Sequence, residues 1–229
     1  MLFLPFDPIF LIMVLPAFAF SLWARHRVTS SFKKYSQQYT QNRMTGADAA
    51  REVLRRSGVS NISIEQVQGT LTDYFDPRTN VIRLSESVYG SPSVAAVGVA
   101  AHEAGHALQY ASGYIPMRLR AAIIPATNIG SNLSVPLILF GLIFNMTGLI
   151  DLGILLFGAV VVFQLITLPV EFNASRRAVS VLGESALLTA DELPGAKRVL
   201  SAAALTYVGA LAVSLMTLLR FVLLSRGRR

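Results

Sequence analysis

The sequence predicts a predominantly α-helical integral membrane protein with four transmembrane helices and one small α+β unit. Of its 229 residues, 53% are hydrophobic and only 14% are charged, whereas a soluble domain is about 25% charged. Four apolar segments are long enough to cross a bilayer, which takes about 20 residues. Between the first two, the chain is polar and contains a short segment, Ile62–Val67, that alternates like a strand. These three observations define the fold class.

The first of the four predicted spans needs a separate argument, because it contains Asp7, Pro8 and Pro16. Its length also fits a cleaved signal peptide. However, no basic segment precedes it, and Arg25-His26-Arg27 follows where small residues would mark a cleavage site. We therefore predict a retained anchor. The predicted spans are Leu2–Trp23, Ala121–Phe144, Leu149–Val170 and Ala202–Leu224.

The distribution of positive charge predicts the orientation in the membrane. The net charge is +7, and a basic cluster without acids directly follows the first span. Such clusters mark the cytoplasmic side and favour anionic headgroups, so the predicted partner is the lipid bilayer and not nucleic acid. The C-terminal Arg226–Arg229 would then lie outside, against the same rule, but the signal near the first helix usually dominates. The cluster consists of Arg25, Arg27, Lys33, Lys34 and Arg43.

This orientation divides the chain into five predicted segments of a multi-pass protein of the cell (inner or plasma) membrane. The segments before the second span and after the third lie on the same side in either orientation. The segments are an N-terminal anchor at 1–24, a cytoplasmic α+β region at 25–120, a transmembrane hairpin at 121–170, a cytoplasmic segment at 171–201, and a C-terminal transmembrane helix with a basic tail at 202–229.

The motif His102-Glu103-Ala104-Gly105-His106 predicts a zinc site. Val94–Tyr110 has the composition of a buried helix, on which His102 and His106 share one face and can bind one ion. Glu103 follows His102 and can take a proton from a zinc-bound water. The alternative is an amphipathic helix with two incidental histidines, in a chain that has only three. The spacing favours one zinc ion per chain.

A catalytic zinc needs a third protein ligand, and the absence of cysteine excludes a thiolate. His26 is one alternative, although it lies between two arginines at a membrane boundary. Glu171 is favoured, because it follows the third span on the side that carries the motif. The remaining downstream acids look less suitable: Asp151 falls on the opposite side, and Glu184, Asp191 and Glu192 lie in a polar stretch typical of a surface.

Three segments carry a family resemblance: Tyr74–Ser85, Val99–Ala107 and Pro169–Arg177. In these the chain resembles the bacterial membrane zinc metallopeptidases called YugP-like, or putative neutral zinc metallopeptidases. More distantly it is similar to gluzincin membrane proteases, in which two membrane helices separate H-E-x-x-H from a glutamate ligand. The resemblance implies that Glu171 is this ligand. Many gluzincins orient a zinc histidine with an aspartate four residues further on, where this chain has Ser175.

The polar region upstream of the motif predicts the α+β unit. Thr45 and Asp48 can cap a helix that runs to Arg56, with Gly58 as its stop. Ile62–Val67 and Val81–Leu84 predict strands, with a turn at residues 76–80. A strand before the zinc helix is the zincin arrangement. It is either an edge strand that pairs with an extended substrate or an ordinary core strand.

Together these features predict a zinc metalloendopeptidase that cuts membrane-associated or unfolded proteins. His102, His106 and Glu171 would bind zinc, Glu103 would be the general base, and Arg176, Arg177 or Tyr207 would stabilise an oxyanion. One alternative is a non-catalytic zinc-binding scaffold or chaperone, which would not need Glu103.

A second alternative is an intramembrane protease of the site-2 type. The apolar run before the motif, Val94–Ala101, is too short to span a bilayer. Arg220, inside the fourth span, is a candidate functional residue, but its position near the helix end favours snorkelling to headgroups.

Overall fold

The structure, a computed structural model, describes residues 7–226. The start of the first predicted span, residues 2–6, and the basic tail at 227–229 lie outside the described residues. Two compact units form: one of residues 1–24, 118–168 and 205–229, and one of residues 25–117 and 169–204. We call them the membrane unit and the α/β unit.

The described residues are mostly helical, with one small sheet. A π-helical segment, Phe10–Val14, continues directly into the first α-helix. The helices are α1 (Leu15–Ser36), α2 (Gly46–Arg56), α3 (Glu86–Tyr89), α4 (Val94–Ala111), α5 (Ile115–Ile143), α6 (Thr147–Glu184) and α7 (Leu193–Arg226). The strands are β1 (Ser63–Val67), β2 (Tyr74–Asp76) and β3 (Val81–Ser85).

Among the described residues, four helical segments are long and apolar enough to cross a membrane, as the sequence predicts. All extend beyond the predicted apolar stretch at one end or both. The longest, α6, has 38 residues and therefore measures about 57 Å, against about 30 Å for the hydrocarbon core. The apolar stretch thus identifies the part that is apolar enough to cross lipid, and the helix continues with more polar residues. The segments are Phe10–Tyr35, Ile115–Ile143, Thr147–Glu184 and Leu193–Arg226.

Within the membrane unit, α5 and α6 approach closely through small residues. A Cβ added at Gly153 would lie 2.7 Å from the carbonyl oxygen of Ser134, and one added at Gly130 would lie 2.5 Å from that of Leu156. Glycine at these positions allows the two backbones to touch, as in other membrane helix pairs. The turn between the two helices contains Asn145 with a φ of 52°, a conformation that asparagine tolerates better than most residues.

A buried ion pair joins the first and last helices of the membrane unit. Arg220 donates to one carboxylate oxygen of Asp7 from Nη2 at 2.6 Å and from Nε at 3.0 Å. The two side chains are only 9% and 15% exposed, and the guanidinium also lies over the ring of Phe10 at 5.2 Å. The expectation that Arg220 snorkels outward is therefore wrong: Asp7, which interrupts the first predicted span, is its partner.

The sheet of the α/β unit has the order β1-β3-β2, with β1 parallel and β2 antiparallel to β3. β3 is the middle strand, and its Ile82 and Leu84 are fully buried. Of the two alternatives for the strand that precedes the motif helix, the structure supports the core strand. The sequence did not predict β2, which begins just before the expected turn.

Helix α2 begins as its sequence predicts. The Thr45 hydroxyl accepts a hydrogen bond from the backbone N–H of Asp48, and the Asp48 carboxylate accepts from the N–H of Thr45. This capping box satisfies two N–H groups that the first turn leaves without helical partners. Ala49, Ala50 and Val53 are fully buried in the core of the unit.

Helix α4 carries the histidine motif and is lined by small, buried residues. The Ser93 hydroxyl caps it by accepting from the N–H of Ala96 at 3.2 Å, and Ala101 and Ala104 are fully buried. A Cβ added at Gly105 would lie 2.5 Å from the carbonyl oxygen of Ala174. This contact brings the motif helix directly against the second half of α6, where Glu171 lies.

Candidate metal centre

Three side chains from two helices converge within the α/β unit. The Nε2 atoms of His102 and His106 lie 3.3 Å and 3.5 Å from the same carboxylate oxygen of Glu171, Oε2. The two imidazole rings are nearly perpendicular, with centroids 4.7 Å apart. One donor atom from each residue lies within 4.8 Å of the others, so all three can reach one ion.

The other ring nitrogen of each histidine has its own partner. His102 Nδ1 lies 3.0 Å from the Ser175 hydroxyl oxygen, and His106 Nδ1 lies 3.0 Å from Oε1 of Gln109. Such outer partners hold the ring orientation and leave Nε2 available as a ligand. Ser175, at which the sequence analysis noted a departure from the gluzincin pattern, is thus in contact with His102.

The donor set fits zinc. Two imidazoles and one carboxylate form one of the three-ligand sets of catalytic zinc sites. Two atoms bound to one tetrahedral zinc at about 2.0–2.1 Å lie about 3.3 Å apart, close to the 3.3 Å and 3.5 Å observed. Glu171 is 2% exposed, and a carboxylate buried so completely requires cationic partners.

Negative charge accumulates around these nitrogens. Burial opposes a charged imidazolium at His106, but its hydrogen bond to Glu171 and the charges of Glu103 and Glu171 outweigh burial and raise the pKa of His106. Glu103 itself is 8% exposed and precedes the second histidine by less than one helical turn. The site therefore attracts a cation.

Asp73, which directly precedes β2, is a further acid near Glu103. Burial raises the pKa of Asp73, although the backbone and hydroxyl of Ser85 donate hydrogen bonds to it, and the charge of Glu103 raises this pKa further. The Ser85 N–H lies 2.8 Å from Asp73 Oδ1. The sequence analysis did not single out Asp73, because its proximity to Glu103 depends on the packing of β2 against α4.

The other proposed ligands lie elsewhere in the described part of the chain. His26 is exposed on α1 and is not in the metal-binding group. Glu184 accepts a hydrogen bond from the Ser180 hydroxyl. Glu192 accepts from the backbone N–H groups of Gln41 and Thr189, at 2.7 Å and 2.8 Å. Neither of these two acids belongs to the metal-binding group.

Of the candidate oxyanion residues, Arg177 already has several partners. Its Nε donates to Asn173 Oδ1 at 2.9 Å and its Nη1 to the Ser112 hydroxyl at 3.2 Å, and it lies over the Tyr114 ring at 5.8 Å. Arg176 is exposed on the same helix. Tyr207 belongs to the membrane unit.

Gln109 is the main site residue that the sequence analysis missed. It is fully buried and contacts His106 as described above. The available signal was an amide three residues after the second histidine, on the same helix face. A glutamine in such a position is common in helices, and its role depends on α6.

Comparison with known proteins shows which family the chain belongs to. The sequence model described as "putative neutral zinc metallopeptidase" matches residues 10–226. The chain belongs to this family. It is also 46% identical to the "Putative membrane protease YugP" of Bacillus subtilis (strain 168). The alignment extends over 216 residues and covers 94% of this chain and 96% of that protein. The family resemblance noted in the sequence is thus confirmed. No solved structure matches the chain significantly.

Proposed function

We propose that this protein is a zinc-dependent endopeptidase whose centre is formed by His102, His106, Glu171 and Glu103. The observation that carries the proposal is the convergence of both Nε2 atoms on Glu171 Oε2, at 3.3 Å and 3.5 Å, with both Nδ1 atoms held by other groups. Three protein ligands leave one position for water, which is the arrangement of catalytic and not structural zinc.

Each residue then has a separate role. His102, His106 and Glu171 would hold the ion, and zinc bound there would lower the pKa of a water to about 7 and polarise the scissile carbonyl. Glu103 accepts the proton that the water loses as its oxygen bonds to the carbonyl carbon. Glu103 then donates this proton to the leaving nitrogen as the C–N bond breaks.

The proposed substrates are membrane-associated or unfolded proteins, cut near the membrane on the cytoplasmic side of the cell membrane. Two features of the sequence support this. The motif ends about a dozen residues before the predicted second span, and Glu171 directly follows the predicted third span. The basic residues Arg25, Arg27, Lys33 and Lys34 favour the cytoplasmic side for residues 25–120.

The test compares wild-type protein with Glu103→Gln, which keeps the side-chain shape and removes the base. We expect zinc to stay bound and hydrolysis to fall by about 100-fold or more, as losses of general bases do. Membrane proteomes of cells that make each form should show uncut substrates accumulating only with the variant. Glu184→Gln, the same change at an exposed position of α6, is the matched control and should behave as wild type.

Two outcomes would contradict the proposal. Equal substrate profiles and equal hydrolysis in Glu103→Gln and wild type would support the alternative of a zinc-binding scaffold. Loss of zinc from Glu103→Gln would make Glu103 a ligand instead of a base.

The orientation is tested with single cysteines at Asn61 and Asn145, since the natural chain has none. Both positions are exposed. In intact cells a membrane-impermeant maleimide should label Asn145→Cys and not Asn61→Cys, and both should react after lysis. Labelling of Asn61→Cys alone would place the α/β unit outside the cytoplasm.

A further inference from the structure

The contacts of Gln109 connect the motif helix to α6 through one fully buried side chain. Its Oε1 lies 3.0 Å from His106 Nδ1. Its Nε2 donates to the carbonyl oxygen of Val170 at 2.7 Å and to Asn173 Oδ1 at 3.0 Å. The amide therefore uses both ends: one end holds a proposed zinc ligand, and the other is anchored beside Glu171.

The direction of these hydrogen bonds is fixed by neighbouring groups that can only accept or can only donate. A backbone carbonyl only accepts, so the atom facing Val170 must be the NH₂ group of Gln109. An arginine side chain only donates, and Arg177 Nε lies 2.9 Å from Asn173. The Asn173 atom between Arg177 and Gln109 is therefore an oxygen that accepts from both. An amide flip at Gln109 would place two acceptors against each other.

The fixed amide determines the tautomer of His106. Because Gln109 presents its carbonyl oxygen to Nδ1, the hydrogen of the neutral imidazole lies on Nδ1, and the Nε2 lone pair faces Glu171. His102 differs, since the Ser175 hydroxyl on its Nδ1 can either donate or accept. Of these two histidines, only His106 has a tautomer that its hydrogen-bond partner determines.

We propose that Gln109 is a positioning residue that fixes the ring orientation and the Nδ1–H tautomer of His106, with Asn173 and Arg177 as its anchor. The proposal rests on the proposed zinc site. In this role Gln109 touches neither substrate nor ion. It keeps the Nε2 lone pair of His106 directed at the point where His102 and Glu171 converge.

The test measures zinc affinity of the full-length protein in detergent, by competition with a chromophoric chelator. Gln109→Leu removes both hydrogen-bonding ends at similar volume, and we expect affinity to fall about 10–100-fold, as for other outer partners of metal ligands. The visible absorption of the cobalt-substituted variant should change as well, because His106 no longer has one orientation. A merely structural role would not alter that spectrum.

Two sets of variants separate positioning from packing. Leu182→Ala removes a fully buried residue of the same core. It should lower stability and leave zinc affinity and the cobalt spectrum of the folded protein unchanged. Asn173→Asp keeps an acceptor for Gln109 and Arg177 and should retain affinity close to wild type, whereas Asn173→Leu should lower it in the same way as Gln109→Leu.

The outcomes are distinct, and the Asn173 pair gives the result even if Gln109→Leu does not fold. Equal zinc affinity and equal cobalt spectra in wild type and Gln109→Leu, or in Asn173→Leu and Asn173→Asp, would overturn the role of Gln109 and leave the proposed peptidase intact. A wild-type protein that binds no zinc would instead refute the proposed function.

Discussion

Both units of this protein bury charged side chains, but they arrange them differently. In the membrane unit, Arg220 and Asp7 form one pair of opposite charges at 2.6 Å. In the α/β unit, Glu171 is nearly fully buried against two histidines at 3.3 Å and 3.5 Å, with Glu103 adjacent. In the first arrangement the two opposite charges balance each other. The second gathers two carboxylates around two imidazoles, an arrangement that could hold a cation.

The difference distinguishes a structural charge from a functional one. A buried pair that is electrically complete stabilises one arrangement of helices, and replacing both partners together costs little. A buried cluster of carboxylates and imidazoles that could hold an ion is instead a candidate functional site. The variants below test this distinction, beginning with the largest expected effect.

Removal of Glu171 should have the largest effect. Purified wild-type protein should contain about one zinc per chain. Glu171→Ala should lose most of it, and hydrolysis should fall by at least about 100-fold. Metal analysis with Glu184→Ala and His26→Ala as controls checks the assignment. Full zinc content in Glu171→Ala, with loss in either control, would show that the ligand is elsewhere.

The ion pair of the membrane unit should affect stability and not metal binding. Arg220→Met leaves the buried Asp7 carboxylate without its cation, which costs about 3–5 kcal/mol. For a protein of this size, that corresponds to a fall of roughly 6–20 °C in the unfolding midpoint. Zinc content should stay at the wild-type value.

A second change sharpens this prediction. In the double variant Arg220→Met with Asp7→Asn, the asparagine oxygen can still accept from the N–H of Phe10, as Asp7 does at 2.8 Å, and no unbalanced charge remains. We expect the double variant to recover much of the unfolding midpoint that Arg220→Met loses. A double variant as unstable as the single one would show that the cost of Arg220→Met is lost packing and not lost pairing.

The smallest predicted effect concerns the backbone contact at Gly105. In Gly105→Ala the new methyl group meets the carbonyl of Ala174 at 2.5 Å, so α4 and α6 must separate. Such overpacking costs about 1–3 kcal/mol, and because it moves the histidines relative to Glu171, zinc affinity should fall too.

Gly158→Ala is the matched control for Gly105→Ala, because a Cβ at this position of α6 meets nothing within 4 Å. It should be neutral or slightly stabilising, since alanine favours a helix more than glycine does. Equal behaviour of the two variants would show that the close approach at Gly105 does not matter for the site.

Local patterns account for the parts of the structure that the sequence predicted. The spans follow from apolar runs, the start of α2 from the Thr45–Asp48 capping box, and the shared face of His102 and His106 from their spacing on one helix. In each case the residues that determine the structure lie close together in the sequence, within the length of one membrane-spanning segment. Glu171 was favoured because it follows a span on the same side, and the family resemblance strengthened that choice.

What the sequence did not predict depends on contacts between distant segments. Gln109 acquires its role only when Val170 and Asn173, 61 and 64 residues further on, come beside it. Arg220 was expected to snorkel because it lies near the end of its span, and its partner, Asp7, is 213 residues away. β2 has three residues and forms because β3 offers it an edge. None of these pairings produces a periodic pattern within one segment.

The division of the α/β unit between two stretches of chain has a consequence for its synthesis. Glu171 follows His102 by 69 residues, and the membrane hairpin is translated between them. At about 5–20 residues per second, a ribosome takes roughly 3–14 s to cover this distance. A nascent chain that ends at residue 170 has both histidines and the proposed general base, but not the proposed carboxylate ligand. The proposed zinc site can therefore be completed only after α5 and the apolar first part of α6 have been translated.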